Sequence, residues 1–291
     1  METLRDQAAA LRELVRRLQE EEQSRVTRAS GGRVIVVVSG KGGVGKTALA
    51  VNLGVILARS RRVALFDADL GMANADIVLG APPTSRIEEL VTWGQAWSPP
   101  DLPFHLVGGG SGDLRLLNLG ESELAALAGA LGKLQAQVAL TLVDAGAGLH
   151  RAVVAMMAAA DEILLITTPE PSALADAYAT LKAIARHNRP ALVWTVCNRV
   201  QSSREAARVL ERLGRVSRRF LNLSPSPLGF VLEDPEMHAA ILQQHPVVEL
   251  YPQAPSTRCL EAIARCLDAA GQGSVPSDLG ALVGHVGRGR P

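Results

Sequence analysis

The sequence predicts an α/β fold: a mostly parallel, doubly wound sheet with helices on both faces, and one helix appended at the N-terminus. Three observations carry that expectation. Short apolar, β-branched runs alternate with amphipathic stretches from residue 33 to about residue 270. The first run ends in a glycine-rich loop that opens a helical stretch. The chain has 291 residues, of which 47% are hydrophobic and 20% charged. That is enough for one large core and too apolar for a disordered chain.

Taken in order, residues 3–23 read as a helix, because Leu4, Ala8, Leu11, Leu14, Val15 and Leu18 recur three or four apart. Polar residues running to Ser30, Gly31 and Gly32 form a linker behind it. The apolar stripe either packs on the main domain or docks on another protein, and periodicity does not choose between the two. From residue 33 the pattern changes. The run 34–38 is continuous and β-branched, as in a strand buried on both faces. Further strands are expected at 63–66, 104–107, 139–143, 163–167, 192–197 and 228–231. Helices are expected at 47–59, 121–135, 150–159, 172–187, 202–217, 236–243 and 256–270. The expected organisation is therefore a helix and linker over 1–30, a main domain over 31–270 and a glycine-rich tail over 271–291.

Composition excludes several classes. Thirty basic against 29 acidic residues leave a net charge of +1, so nucleic acid is not an expected partner. Cys197, Cys259 and Cys266 form no CxxC pair, which argues against zinc sites and disulfide scaffolds. No apolar run approaches the roughly 18 residues that span a bilayer. The charged N-terminal stretch has no signal-peptide core. The expectation is a cytoplasmic protein whose only membrane contact is peripheral.

The chemistry begins at Gly40. Gly40, Lys41, Gly42, Gly43, Val44, Gly45, Lys46 and Thr47 fit G-x-x-x-x-G-K-[ST] between a strand and a helix. Backbone N–H groups must converge on phosphate oxygens, so side chains must be absent at Gly42, Gly43 and Gly45. The helix N-terminus adds a favourable dipole. Lys46 is expected on the β/γ oxygens and Thr47 on Mg²⁺. Asp67 and Asp69 end the second strand, where carboxylates face the ligand crevice. Asp69 is the candidate for orienting the attacking water, and Asp67 for an outer Mg²⁺ group. Asp144 ends an apolar strand and precedes Gly146, so it is the candidate holder of the Mg²⁺ shell.

The loop resembles the deviant Walker A subclass, KGGxGK[ST], of the MinD/ParA family of dimerising P-loop ATPases. The segment 67–76, DADLGMANAD, is similar to that family's switch I. The resemblance implies ATP and Mg²⁺ as cofactors and a homodimer in the ATP state. It implies that Lys41 crosses the dimer interface to the other subunit's phosphates, which is also how an arginine finger supplies charge in trans. It implies that Gly146 turns its N–H toward the γ-phosphate. It further implies that Asn198 hydrogen-bonds adenine, although a strand-end turn residue is an equal reading of that position. Ala48 stands where the family has a second polar residue in the phosphate loop, and Ala145 where it has Thr. Both leave nucleotide binding expected and the speed of hydrolysis open.

Three segments resemble the flagellar regulator branch (FlhG, FleN, YlxH). Asp6, Gln7, Ala8, Leu11 and Arg12 are similar to its DQAxxLR motif, which engages the GTPase FlhF. The stretch from Ala159 to Tyr178 and the pair Glu233-Asp234-Pro235 with 246–252 are similar to two further branch segments. The implied role is regulation of flagellar placement and number with FlhF, bound through Asp6, Gln7, Leu11 and Arg12. The family's membrane helix is basic and aromatic. Here five glycines interrupt residues 272–291 and no aromatic anchors them, so only weak lipid contact is expected. An alternative is a ParA-like DNA-segregation ATPase, which the arginines on 202–219 would serve.

Overall fold

The computed structural model describes residues 32–69, 73–86, 104–108, 129, 132, 134–186 and 192–271. The N-terminal helix with Asp6, Gln7, Leu11 and Arg12, the tail 272–291 and most of the expected helix 121–135 lie outside the described residues. Eight strands form one sheet: β1 (Arg33–Val38), β2 (Val63–Ala68), β3 (Ser85–Arg86), β4 (Phe104–Gly108), β5 (Leu140–Ala145), β6 (Glu162–Thr167), β7 (Leu192–Val200) and β8 (Ser226–Leu232). Their order is β3-β4-β2-β5-β1-β6-β7-β8. Every described pairing is parallel. The helices are α1 (Lys46–Ala58), α2 (Ala75–Leu79), α3 (Arg151–Ala159), α4 (Pro171–Arg186), α5 (Ser203–Leu221), α6 (Pro235–Leu242), α7 (Val247–Leu250) and α8 (Pro255–Gly271).

A period of two sorts β1 between two cores. Ile35 and Val37 join Leu49, Leu53, Leu65, Leu142, Leu260 and Ile263 on the face covered by α1 and α8. Val34, Val36 and Val38 join Phe66, Val143, Met156, Leu165 and Leu181 on the face covered by α3 and α4. A strand buried on both faces has no polar side to spare, which is why its sequence is a continuous apolar run.

This topology positions the site. The chain enters β5 on one side of β1 and β6 on the other. A crevice therefore opens at the carboxyl ends of the central strands, where the connections diverge. Register adds a second constraint: Asp67 on β2 lies directly beside Asp144 on β5.

Candidate functional site

The phosphate loop leaves β1 at Ser39 and enters α1 at Lys46. Gly43 and Gly45 have φ of 76° and 87°, a region costly for residues with a Cβ. Gly40 is required for a different reason. A Cβ there would sit 2.2 Å from the Asp176 carbonyl oxygen, so the loop packs directly on the α4 backbone. Gly45 caps α1 without a side-chain hydrogen bond, and the first turn carries no acidic residue. The N-terminal N–H groups of α1 and its positive dipole end thus face the crevice unneutralised.

Lys46 is buried, and its Nζ donates to Asp144 Oδ1 at 2.5 Å. Thr47 lies beside the same carboxylate and helps to hold its charge. Burial nonetheless pushes the Asp144 carboxyl above its ordinary value, against the pull of Lys46 and Thr47. Asp144 Oδ2 is buried without a hydrogen-bond partner. Such an oxygen is costly to desolvate unless something cationic or protic completes it. With Thr47 adjacent, it fits a Mg²⁺ ion. Among the described residues no cluster of three or more His, Cys, Asp or Glu could hold a metal by itself. A Mg²⁺ ion here would therefore depend on phosphate oxygens for much of its shell, as is usual for that ion.

Asp67 serves the chain next to it. Its Oδ1 accepts from the Asp69 N–H at 3.2 Å, and its Oδ2 accepts from Asn74 and Ala75 at 2.9 Å each. It thereby anchors both ends of the segment 69–75. Burial, then repulsion from Asp144, pushes its carboxyl up to about 6 despite those three donors. Asp69 is half-buried, and its Oδ1 would lie 3.4 Å from a Cβ on Gly146. Asp67, Asp69, Asp144 and Gly146 are thus brought together on Lys46 and Thr47. Ala48 and Ala145 are both buried at the site, and neither supplies a polar atom there beyond its backbone.

Lys41 sits on the rim. Its Nζ donates to Glu170 Oε2 at 2.5 Å and to Ser172 Oγ at 3.0 Å, at the start of α4. The contact holds the exposed Glu170 carboxyl below its ordinary value, but solvent screens it, so the lysine is held loosely. Asn198 lies inside β7, which runs on to Val200. Its Nδ2 donates to the Val44 carbonyl at 2.7 Å.

Beside the phosphate loop lies a small cleft of about 70 Å³ lined by Gly45, Ala48, Asn198, Glu233, Met237 and His238 among others. Sequence reasoning missed Glu233, Met237 and His238 as lining residues. The available signal was the Asp234-Pro235 pair: Asp234 caps α6 by accepting from the Glu236 N–H, and so turns this segment at the carboxyl end of β8.

Comparison with known proteins is consistent with this geometry. The family described as the CobQ/CobB/MinD/ParA nucleotide binding domain matches residues 35–247. The antiactivator FleN of Pseudomonas aeruginosa is 32% identical over 243 residues, covering 81% of this chain and 86% of that protein. The flagellum site-determining protein YlxH of Helicobacter pylori is 33% identical over 201 residues, covering 64% of each. Among solved structures, the cell division ATPase MinD of Pyrococcus furiosus superposes with a TM-score of 0.67 at 27% identity, covering 82% of this chain and 99% of that one.

Proposed function

Because the chain belongs to the CobQ/CobB/MinD/ParA nucleotide-binding family of ATPases, we propose that it is an ATP-driven dimerising switch that regulates flagellar placement and number. The observation that carries the reading is the Lys46–Asp144 pair with its unsatisfied Asp144 oxygen. A lysine and a carboxylate that neutralise one another before nucleotide arrives are freed for opposite duties when it does. Lys46 turns to the β/γ oxygens, and Asp144 with Thr47 holds the cation. Mg²⁺, when bound, neutralises charge on the phosphates. Asp69, beside Gly146, orients water for attack on the γ-phosphorus. ATP and water give ADP and phosphate. Lys41 leaves Glu170 and reaches the phosphates of a second subunit, which ties turnover to dimerisation.

The flagellar role rests on similarity to FleN and YlxH. On this reading the partner is an FlhF-type GTPase engaged through residues 1–30, the ATPase unit spans 31–270, and the tail 271–291 touches the inner face of the membrane weakly. No helix among the described residues is long and apolar enough to cross a bilayer. If the tail is the anchor, truncation after Ala270 abolishes pelleting with anionic liposomes; equal pelleting of both forms excludes it.

Light scattering with and without ATP and Mg²⁺ tests the switch. Wild type goes from monomer to dimer. Lys46→Ala loses nucleotide binding. Lys41→Ala keeps binding but neither dimerises nor hydrolyses. Asp69→Ala binds ATP and stays dimeric, because only the water is misplaced. A wild-type protein that remains monomeric in ATP and Mg²⁺ refutes the proposal.

One observation favours a second reading. Arg204, Arg208, Arg212, Arg215, Arg218 and Arg219 are all exposed on α5. A ParA-like ATPase would use such a face on DNA. Its signature is a shift of arbitrary duplex DNA that weakens steeply with salt and depends on these arginines. No shift at low salt removes this reading.

A further inference from the structure

Three features of β7 converge on one buried amide. Asn198 is 5% exposed, and its Nδ2 donates to the Val44 carbonyl, 154 residues away, at 2.7 Å. The next residue, Arg199, has a φ of 56°, strained for a residue with a Cβ. The β7–β8 register shifts between Cys197 and Val200. An irregularity of that kind re-aims a side chain that a regular strand would send elsewhere. Opposite it, Gly45 has a φ of 87°, and a Cβ there would lie 2.4 Å from Asn198 Nδ2. The amide therefore fills the space a side chain at Gly45 would need, and it grips the peptide that leads into α1.

From this we infer that Asn198 is a positioning residue for the phosphate loop, acting through the Val44 carbonyl. The physical argument concerns the peptide between Val44 and Gly45. Its carbonyl is held by Asn198, so its N–H points the opposite way. Planarity of the peptide transmits that orientation to the Gly45 nitrogen. Gly45 is also the N-cap of α1, and Lys46 is its first residue. One hydrogen bond thus fixes the direction of a loop N–H and the start of the helix that carries Lys46 and Thr47. Without it, a left-handed glycine is free to turn, and N–H groups aimed at phosphate lose their common direction.

The inference rests on the nucleotide-binding reading of the loop, and its test separates the two. Dissociation constants are measured by calorimetry, at low temperature and with fitted stoichiometry, for Mg-ATP and for Mg-tripolyphosphate, which has no base. Asn198→Asp keeps the size and removes the donor; Asn198→Ala removes the amide. The constants are compared at a temperature where circular dichroism shows each variant fully folded, because reversible unfolding would weaken both ligands by the same factor. In both variants, binding of tripolyphosphate weakens on the order of ten-fold for one buried hydrogen bond, and binding of ATP weakens at least as much. A second measurement is independent of affinity. Gly45→Ala is tolerated better in the Asn198→Ala background than in wild type, because the clash it meets is the amide itself. If the variants weaken ATP but leave tripolyphosphate unchanged, Asn198 reads the base and the inference fails. If neither ligand is affected, it fails as well. Wild-type protein that binds neither ligand refutes the nucleotide reading of the loop along with it.

Discussion

At the scale of single residues, the site is governed by like charges placed side by side. Asp67 and Asp144 are register partners on neighbouring parallel strands, and neighbouring strands lie roughly 4.8 Å apart. Burial and that proximity raise the Asp67 carboxyl from an ordinary 3.8 to about 6. A raised carboxyl means that the folded state holds a proton the unfolded chain releases at lower pH. Its contribution to stability is therefore present below about pH 4 and is lost as pH rises through about 6. Asp67→Asn, which cannot ionise, loses one of the two acceptor oxygens and so carries a cost at every pH. Its stability relative to wild type should nevertheless improve by about 2–3 kcal/mol between pH 4 and pH 7.5, measured without nucleotide or metal. Chemical denaturation at the two pH values reads the difference. A gap that does not change with pH would mean that Asp67 is not the titrating group. The same variant should bind Mg-ATP more weakly at pH 7.5, because a charge useful to the loaded state costs the empty one. That conflict between stability and function is expected where charge is stored for a ligand.

At the scale of elements, the two ends of the sheet divide the labour. The carboxyl ends carry the site; the amino ends carry a buried ionic knot. Glu162 at the start of β6 accepts from Trp194 Nε1 at 2.6 Å and from Arg33 Nε at 2.8 Å, and Arg33 Nη1 donates to the Leu267 carbonyl at 3.0 Å. The knot ties β1, β6, β7 and α8 together far from nucleotide. Glu162→Ala strands a half-buried guanidinium and a buried indole N–H, and should cost about 2–4 kcal/mol in denaturant unfolding. Glu162→Gln keeps an acceptor and should cost less. ATP affinity should not move in either, and a change in it would place the knot in the site.

Seven of the eight strands were legible in the sequence, because each carries an apolar run covered by the core, including β8 at the sheet edge. The Ser85–Arg86 strand, the Ala75–Leu79 helix and the Val247–Leu250 helix were not, since two to five residues display no period. β7 continues beyond the expected end at 197, and α5 beyond 217. Asn198 and Arg199 break the apolar pattern of the strand. Arg218 and Arg219 lie exposed on the helix and say nothing of a core. The phosphate loop was legible because the positive φ of Gly43 and Gly45 is a local demand that glycine meets by itself. The partners of Lys41 and Asn198 were not, because Glu170 and Val44 lie 129 and 154 residues away in sequence.

At the scale of the whole molecule, the sheet accounts for a nucleotide site, whereas regulation needs something that carries its state to a partner. Residues 3–23 are the sequence's own candidate, with an apolar stripe on Leu4, Leu11 and Leu18 and a linker before β1. Two of their residues have chemistry suited to stimulating a GTPase: Gln7 is an amide able to orient a water, and Arg12 a charge able to stabilise a phosphoryl transition state. A peptide of residues 1–23 should raise the GTP turnover of an FlhF-type partner without the ATPase domain. Gln7→Ala and Arg12→Ala in the full chain should each lower that stimulation, on the order of ten-fold or more if they act on the transition state, and leave ATP hydrolysis unchanged. The rival reading, a stripe packed on the main domain, makes the opposite forecast. Deleting residues 1–23 would then lower the melting temperature of the ATPase domain and leave partner turnover untouched. One truncated protein, measured for both melting temperature and partner turnover, separates them. The peptide experiment adds direction: a stimulated rate with peptide alone can arise only if the segment acts on the partner, whereas no stimulation by the intact peptide ends the activator reading.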